Sequence, residues 1–63
     1  ALMNPIVRAL YEKAINSFGA IPADKRLEVM QLVMEIENAA KAGDNAKQME
    51  LYDPLNRIIS ALG

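Results

Sequence analysis

The sequence predicts an all-α protein, a small antiparallel bundle of three helices. Two glycines, Gly19 and Gly43, divide the 63 residues into three segments. Apolar residues recur within each segment at helical spacing, and residues typical of helix termini stand at the segment ends. Because the connections between the segments are short, neighbouring helices are expected to run antiparallel.

We expect one helical domain over residues 1–63, because a chain of this length makes one domain at most. Met3 is a candidate native start. Residues 1–3 are therefore expected either to include extra residues that precede the native start or to form a disordered end. The alternative of a domain cut from a longer protein stays open. With no Cys and no His, neither disulfides nor the best soft metal ligands can supplement the core. The remaining sources of stability are association with another chain and a very efficient helical core.

The first helix is predicted over about residues 5–18. Asn4 is a typical N-cap residue, and Pro5 follows at the first helical position, where its missing N–H costs nothing. Gly19 fits the left-handed position just past a helix end. Two adjacent apolar rows lie between these ends: Ile6, Leu10, Ala14 and Phe18, and beside them Val7, Tyr11 and Ile15.

The second helix, predicted over about residues 23–42, is the longest. Asp24 is either its N-cap or a first-turn acid that the helix dipole favours. Most of the positions that follow hold strong helix formers. Lys41 in the last turn and Gly43 after it form the expected C-terminal signature.

The third helix is predicted over about residues 44–62, with Asp44 as its cap. Pro54 interrupts it, because a proline inside a helix removes one backbone hydrogen bond and bends the axis. A kinked but nearly continuous helix is favoured over a break in which Asp53 caps a new helix. Its expected seam is Leu51, Leu55, Ile58 and Leu62, with Met49, Tyr52 and Ile59 beside it and Met49 expected in the core.

The second helix has more apolar surface than one neighbour can cover. Its stretch VMQLVMEI, residues 29–36, contains six apolar residues out of eight. A helix packed against one neighbour needs an apolar stripe of about 100°, and this one is wider. Either the helix lies between both other helices, or Leu27, Met30 and Met34 extend past them and form a binding surface.

No residue pattern points to catalysis, so we expect a protein that is not an enzyme and uses no cofactor. There is no His to act as general base and no Cys nucleophile. Ser17 and Ser60 lie near predicted helix ends, where hydroxyl groups usually bond to the backbone. Glu28 and Glu35 share one face, which is typical of a solvated stripe and not of a cation site.

The charges argue against an anionic partner. Seven basic and eight acidic residues give a formal net charge of −1, which favours neither nucleic acid nor an anionic membrane surface. The best basic pair is Lys25 and Arg26, but the same helix is expected to expose Glu28 and Glu35. The sequence lacks the run of about 20 apolar residues that a membrane span needs. We expect a cytoplasmic protein.

The leading hypothesis is a non-catalytic module for protein–protein interaction or homo-oligomerisation. Another helix would dock on the apolar flank formed by Leu27, Met30 and Met34, with Glu37 and Lys41 as a charged rim that sets its orientation. The partner would be another protein or a second copy, as in a homodimer. One alternative is a small nucleic-acid-associated regulator that uses the basic residues at the start of the second helix. Another is a purely structural piece of a larger chain.

Overall fold

The computed structural model describes residues 3–62 and confirms the all-α prediction. Helix α1 covers Pro5–Asn16, α2 covers Ala23–Lys41 and α3 covers Asn45–Ser60, with a short 3-10 turn, Phe18–Ala20, between the first two. The described residues contain no strand. The fold is the three-helix bundle that the segment pattern predicts.

Helix α1 begins at the residues that its capping pattern predicts. The Asn4 side chain accepts a hydrogen bond from the Ile6 backbone N–H at 2.9 Å, and Pro5 holds the first helical position. Met3 is partly buried against the core. The other two residues of segment 1–3, where extra residues or disorder were expected, lie outside the described residues.

Helix α1 ends at residue 16, two residues earlier than predicted. The prediction of a left-handed conformation for Gly19 is wrong, because Gly19 does not have a positive φ. The chain tightens into the 3-10 turn, in which the Ala20 N–H donates to the Ser17 carbonyl at 2.9 Å. The Ile21 N–H likewise donates to the Phe18 carbonyl at 3.1 Å. These short-range bonds turn the chain directly after the helix, and the Ser17 N–H donates to the Lys13 carbonyl at the helix end, so no residue with positive φ is needed.

The two ends of α2 are built differently. At its start, Pro22 holds the N-cap position without a side-chain cap, and Asp24 is the first-turn acid that the helix dipole favours. After its end, Gly43 has a φ of 69°, as its position predicts. The Asp44 N–H then donates to the Ala39 carbonyl at 2.8 Å, one of the bonds of a Schellman motif.

Helix α3 follows its predicted cap Asp44 and continues through Pro54, so the alternative of a clean break is wrong. Leu51 on one side of Pro54 and Leu55 and Ile59 on the other are buried in the same core. Both halves of the helix are therefore anchored along one face. This burial offsets the backbone hydrogen bond that Pro54 cannot make.

The hydrophobic core receives a row of side chains from each helix and Ile21 from the connection. Helices α1 and α3 begin at the same end of the bundle, where two hydrogen bonds join their first turns. The Asn4 N–H donates to Gln48 Oε1 at 2.7 Å, and Asn4 Nδ2 donates to Asn45 Oδ1 at 2.9 Å. Helix α2 runs antiparallel to both. The buried core residues are Val7, Leu10, Ala14, Ile21, Val29, Val33, Ile36, Leu51, Leu55 and Ile59.

Gln48 is a fully buried polar residue in α3, and sequence reasoning missed it. Met49, which we expected in the core, is instead 40% exposed, so that prediction is wrong. Met49 points about 100° away from Gln48 around the helix axis, and in α3 that direction faces solvent. Gln48 takes the inner position because its side-chain oxygen accepts a hydrogen bond there from Asn4.

Candidate functional site

Three large apolar side chains of α2 are exposed: Leu27 keeps 65% of its surface accessible, Met30 47% and Met34 55%. Their spacing of three and four residues puts them in one row along the helix. We name this row the apolar face of α2. Val29 and Ile36, which are fully buried, lie on the opposite side of the helix. The apolar face therefore points away from the core.

The wide apolar surface of α2 thus has two parts. The buried part packs against α1 and, more extensively, against α3. Leu32 extends that part as a half-buried residue at the edge of the core. Contact with both neighbouring helices explains the buried part, and within residues 3–62 no element covers the apolar face.

The two residues predicted as a charged rim, Glu37 and Lys41, differ in their surroundings. Glu37 is half-buried and accepts a hydrogen bond from the Tyr11 hydroxyl, which connects α2 to α1. This hydrogen bond, together with burial and the negative charge of Glu37, raises the pKa of Tyr11 above its usual value of 10.0. Lys41 is exposed and lies in line with Met34, two helical turns further on.

The exposed apolar surface continues from α2 onto α1. Ile15 is 49% exposed and lies one turn after Tyr11 on the same flank of α1. Because Tyr11 contacts Glu37 and the two helices are antiparallel, Ile15 lies beside the middle of α2. A shallow depression on the surface of α1 is lined by Tyr11, Glu12, Ile15 and Asn16.

A second groove, between α1 and α3, is a weaker candidate site. Ile6 is 59% exposed and lines this open groove of about 540 Å³. Lys13, Tyr52 and Asn56 place polar groups along the same walls. Ile6 is the one large exposed apolar residue among those that line it. The groove therefore lacks the continuous apolar row that α2 presents.

The basic pair at the start of α2 makes contacts within the chain. Arg26 Nε donates to the Ile21 carbonyl at 2.9 Å, and its Nη2 donates to the Gly19 carbonyl at 3.4 Å. Lys25 Nζ lies 3.8 Å from Glu28 Oε1. Arg26 thus holds the connection between α1 and α2 in place, a structural role that its position next to Lys25 did not reveal.

Residues 3–62 bring no group of three or more His, Cys, Asp or Glu side chains together as a metal site. Ser17 is the C-cap residue of α1, and Ser60 Oγ donates to Asn56 Oδ1 at 3.3 Å within α3. Among the helices described here, none has both the length and the hydropathy to cross a bilayer.

Comparison of the chain with family models, with curated proteins and with solved structures finds no match in any of the three. The binding properties of the apolar face of α2 therefore follow from its own residues. Its three side chains are large, apolar, exposed and aligned along the longest helix. Such a surface offers binding energy by burial and offers no reactive group.

Proposed function

We propose that this protein is a non-catalytic interaction module whose apolar face of α2 binds a helix of another polypeptide or of a second copy. The observation that carries the proposal is the exposure of Leu27, Met30 and Met34 in a single row. Single exposed apolar residues are normal on a protein surface, whereas contiguous ones indicate a binding site. We expect the module to act in the cytoplasm, because a chain without Cys needs no disulfide and is compatible with a reducing compartment.

Helix-on-helix packing is the binding mode that fits this row. Anchors three and four residues apart along one helix are the pattern by which helices recognise grooves and other helices. Met30 and Met34 are unbranched, so they adapt to the shape of a partner. Full burial of Leu or Met contributes about 1.5–3 kcal/mol, so covering these partly exposed side chains contributes roughly 1 kcal/mol each. Such a face supports weak, reversible binding.

The alternative function, a nucleic-acid-associated regulator that uses Lys25 and Arg26, has less support. Two donor groups of Arg26 are directed at the carbonyls of Gly19 and Ile21, and Lys25 lies near an acid. The alternative predicts binding to duplex DNA that weakens steeply as salt rises. Fluorescence anisotropy with labelled duplex at low salt tests it, and an unchanged signal would remove it.

Photo-cross-linking at the methionines tests the leading proposal. Photo-methionine is incorporated in place of Met when the chain is produced in its cells of origin, and light then links each position to whatever contacts it. We expect intermolecular links from Met30 and Met34 to one defined polypeptide. Met49, which is 40% exposed on α3, is the internal control. Intermolecular links from Met49 alone, or none at all, would contradict the proposal.

A variant pair separates binding from folding. Met30→Glu with Met34→Glu should remain helical by circular dichroism, because both side chains are exposed, and should no longer retain the cross-linked polypeptide. The matched control adds the same charge at exposed positions of α3, Ala46→Glu with Ser60→Glu. If the first variant unfolds while the control stays folded, the apolar face belongs to the core and the proposal fails.

A further inference from the structure

We propose that the polypeptide bound by the apolar face is a second copy of this chain, with the two α2 helices packed antiparallel across a two-fold axis. This inference rests on the proposed function and names the partner. Its basis is the order of residues along α2, which is complementary to itself when the helix is reversed.

The apolar face is the centre of a longer seam. Residues at alternating spacings of three and four are the contact positions of two helices packed side by side. In an antiparallel pair, a two-fold axis midway between Met30 and Met34 brings together residues equally distant from that axis on the two copies. The seam of α2, in order, is Ala23, Leu27, Met30, Met34, Glu37 and Lys41.

The middle of this interface is apolar. Met30 packs against the partner's Met34, and this contact occurs twice because of the two-fold axis. Leu27 comes next and packs against the partner's Glu37. The Glu37 carboxylate is already hydrogen-bonded to the Tyr11 hydroxyl of its own chain, which leaves its methylene groups for Leu27. A charge at this position therefore does not interrupt the contact.

Charge selects the antiparallel arrangement over the parallel one. Parallel helices would set Glu37 against the partner's Glu37 and Lys41 against the partner's Lys41, so like charges would meet twice. Reversing one helix instead places Lys41 next to the partner's Asp24, which lies in the first turn of α2. The antiparallel arrangement therefore avoids both like-charge contacts and brings the Lys41 ammonium close to the carboxylate of the partner's Asp24.

Both flanks of the seam add contacts. On one flank the exposed Gln31 lies near the axis and meets the partner's Gln31, where each amide can donate and accept. Asn38, also exposed, comes close to the partner's Asp24 on that flank. On the other flank Ile15, which is 49% exposed, lies beside the middle of α2 and extends the apolar contact onto α1.

The size of the face predicts a weak dimer. A stable complex buries about 800 Å² on each partner, which is about a fifth of the 4136 Å² that this chain exposes. One helix face with three apolar side chains, extended by Ile15, covers less than that. We therefore expect a Kd on the order of 10–100 µM.

Sedimentation equilibrium of the full chain from about 5 to about 500 µM covers the expected transition. The fitted mass should rise from 6.9 kDa toward twice that value. Met30→Glu with Met34→Glu should weaken the dimer at least about tenfold, whereas Ala46→Glu with Ser60→Glu should leave Kd within about twofold. A constant mass of 6.9 kDa overturns this inference. Cross-links from Met30 and Met34 to a different protein would still support the proposed function.

Cysteine cross-linking tests the orientation, because the chain has no Cys of its own. Ala23→Cys and Lys41→Cys variants, which place Cys at seam positions equally distant from the two-fold axis, are oxidised separately and as a mixture. The antiparallel dimer predicts that the mixture forms a disulfide between the two different variants, while each variant alone forms little. Variants that dimerise by sedimentation and cross-link each with itself, but not with each other, overturn the antiparallel arrangement.

Discussion

The two sides of α2 carry similar residues in opposite surroundings. Val29 and Ile36 are fully buried, while Leu27 and Met34 on the other side keep 65% and 55% of their surface exposed. Residue type therefore does not decide burial in this helix; position relative to α1 and α3 does. Apolar residues at helical spacing predict that a row exists, and the neighbouring helices decide whether it stabilises the fold or remains available for binding.

The largest expected effect comes from truncating one residue on each side of α2. Ile36→Ala should lower the free energy of unfolding by about 2–5 kcal/mol, because it leaves a cavity in the core. Met34→Ala should lower it by less than about 0.5 kcal/mol, because Met34 is exposed. Urea titrations followed by circular dichroism measure both. Equal losses would mean that the two sides do not differ.

The next largest effect tests the same contrast in α3, between Gln48 and Met49. Gln48→Met keeps the size of the side chain but removes the acceptor of the Asn4 N–H, which should cost about 1–3 kcal/mol. The reciprocal change Met49→Gln alters an exposed residue and should cost less than about 0.5 kcal/mol. Urea titration of both variants gives the comparison. A costlier Met49→Gln would contradict the assignment of inner and outer positions.

A smaller effect distinguishes the glycines before and after α2. Gly43 has a φ of 69°, so Gly43→Ala should destabilise the protein by about 1 kcal/mol. Gly19 has no positive φ, and a Cβ added there meets nothing within 4 Å. Gly19→Ala should therefore stabilise the protein by about 0.4–1 kcal/mol, since it restricts the unfolded chain. Thermal unfolding should show opposite shifts; shifts of the same sign would contradict this prediction.

The smallest effect concerns Tyr11 of α1, whose hydroxyl donates a hydrogen bond to Glu37 of α2. The hydrogen bond to Glu37, burial and the Glu37 charge raise the pKa of Tyr11, so folding favours the protonated phenol. That stabilisation is present below the unfolded pKa of about 10 and is lost as pH rises through the higher folded pKa. Wild type should therefore lose slightly more stability than Tyr11→Phe above about pH 10. Urea titrations at several alkaline pH values test this, and identical pH profiles would contradict it.

Helix ends were predictable where their determinants are local. Asn4, Asp44 and Gly43 act through hydrogen bonds or dihedral angles within a few residues, and they have the predicted roles. Gly19 does not adopt the left-handed conformation typical of a glycine after a helix, because residues 18–20 form a 3-10 turn instead. Gln48 enters the core through a bond to Asn4, 44 residues away, which no pattern within α3 indicates.

The candidate site was predictable only in part, for the same reason. The spacing of Leu27, Met30 and Met34 predicts a common row, because residues three and four apart share a helix face. The contact of Glu37 with Tyr11 and the extension of the surface to Ile15 depend on how α1 lies beside α2. Spacing within one helix carries no information about that neighbour.

Methyl NMR of the methionines is the most direct test that the apolar face binds a polypeptide. The chain has four Met residues, and four methyl signals are expected for them. As protein concentration rises, the Met30 and Met34 signals should shift while the Met49 signal stays in place. Met30 and Met34 signals that move neither with concentration nor on addition of the polypeptide cross-linked to them would contradict a binding role for this face.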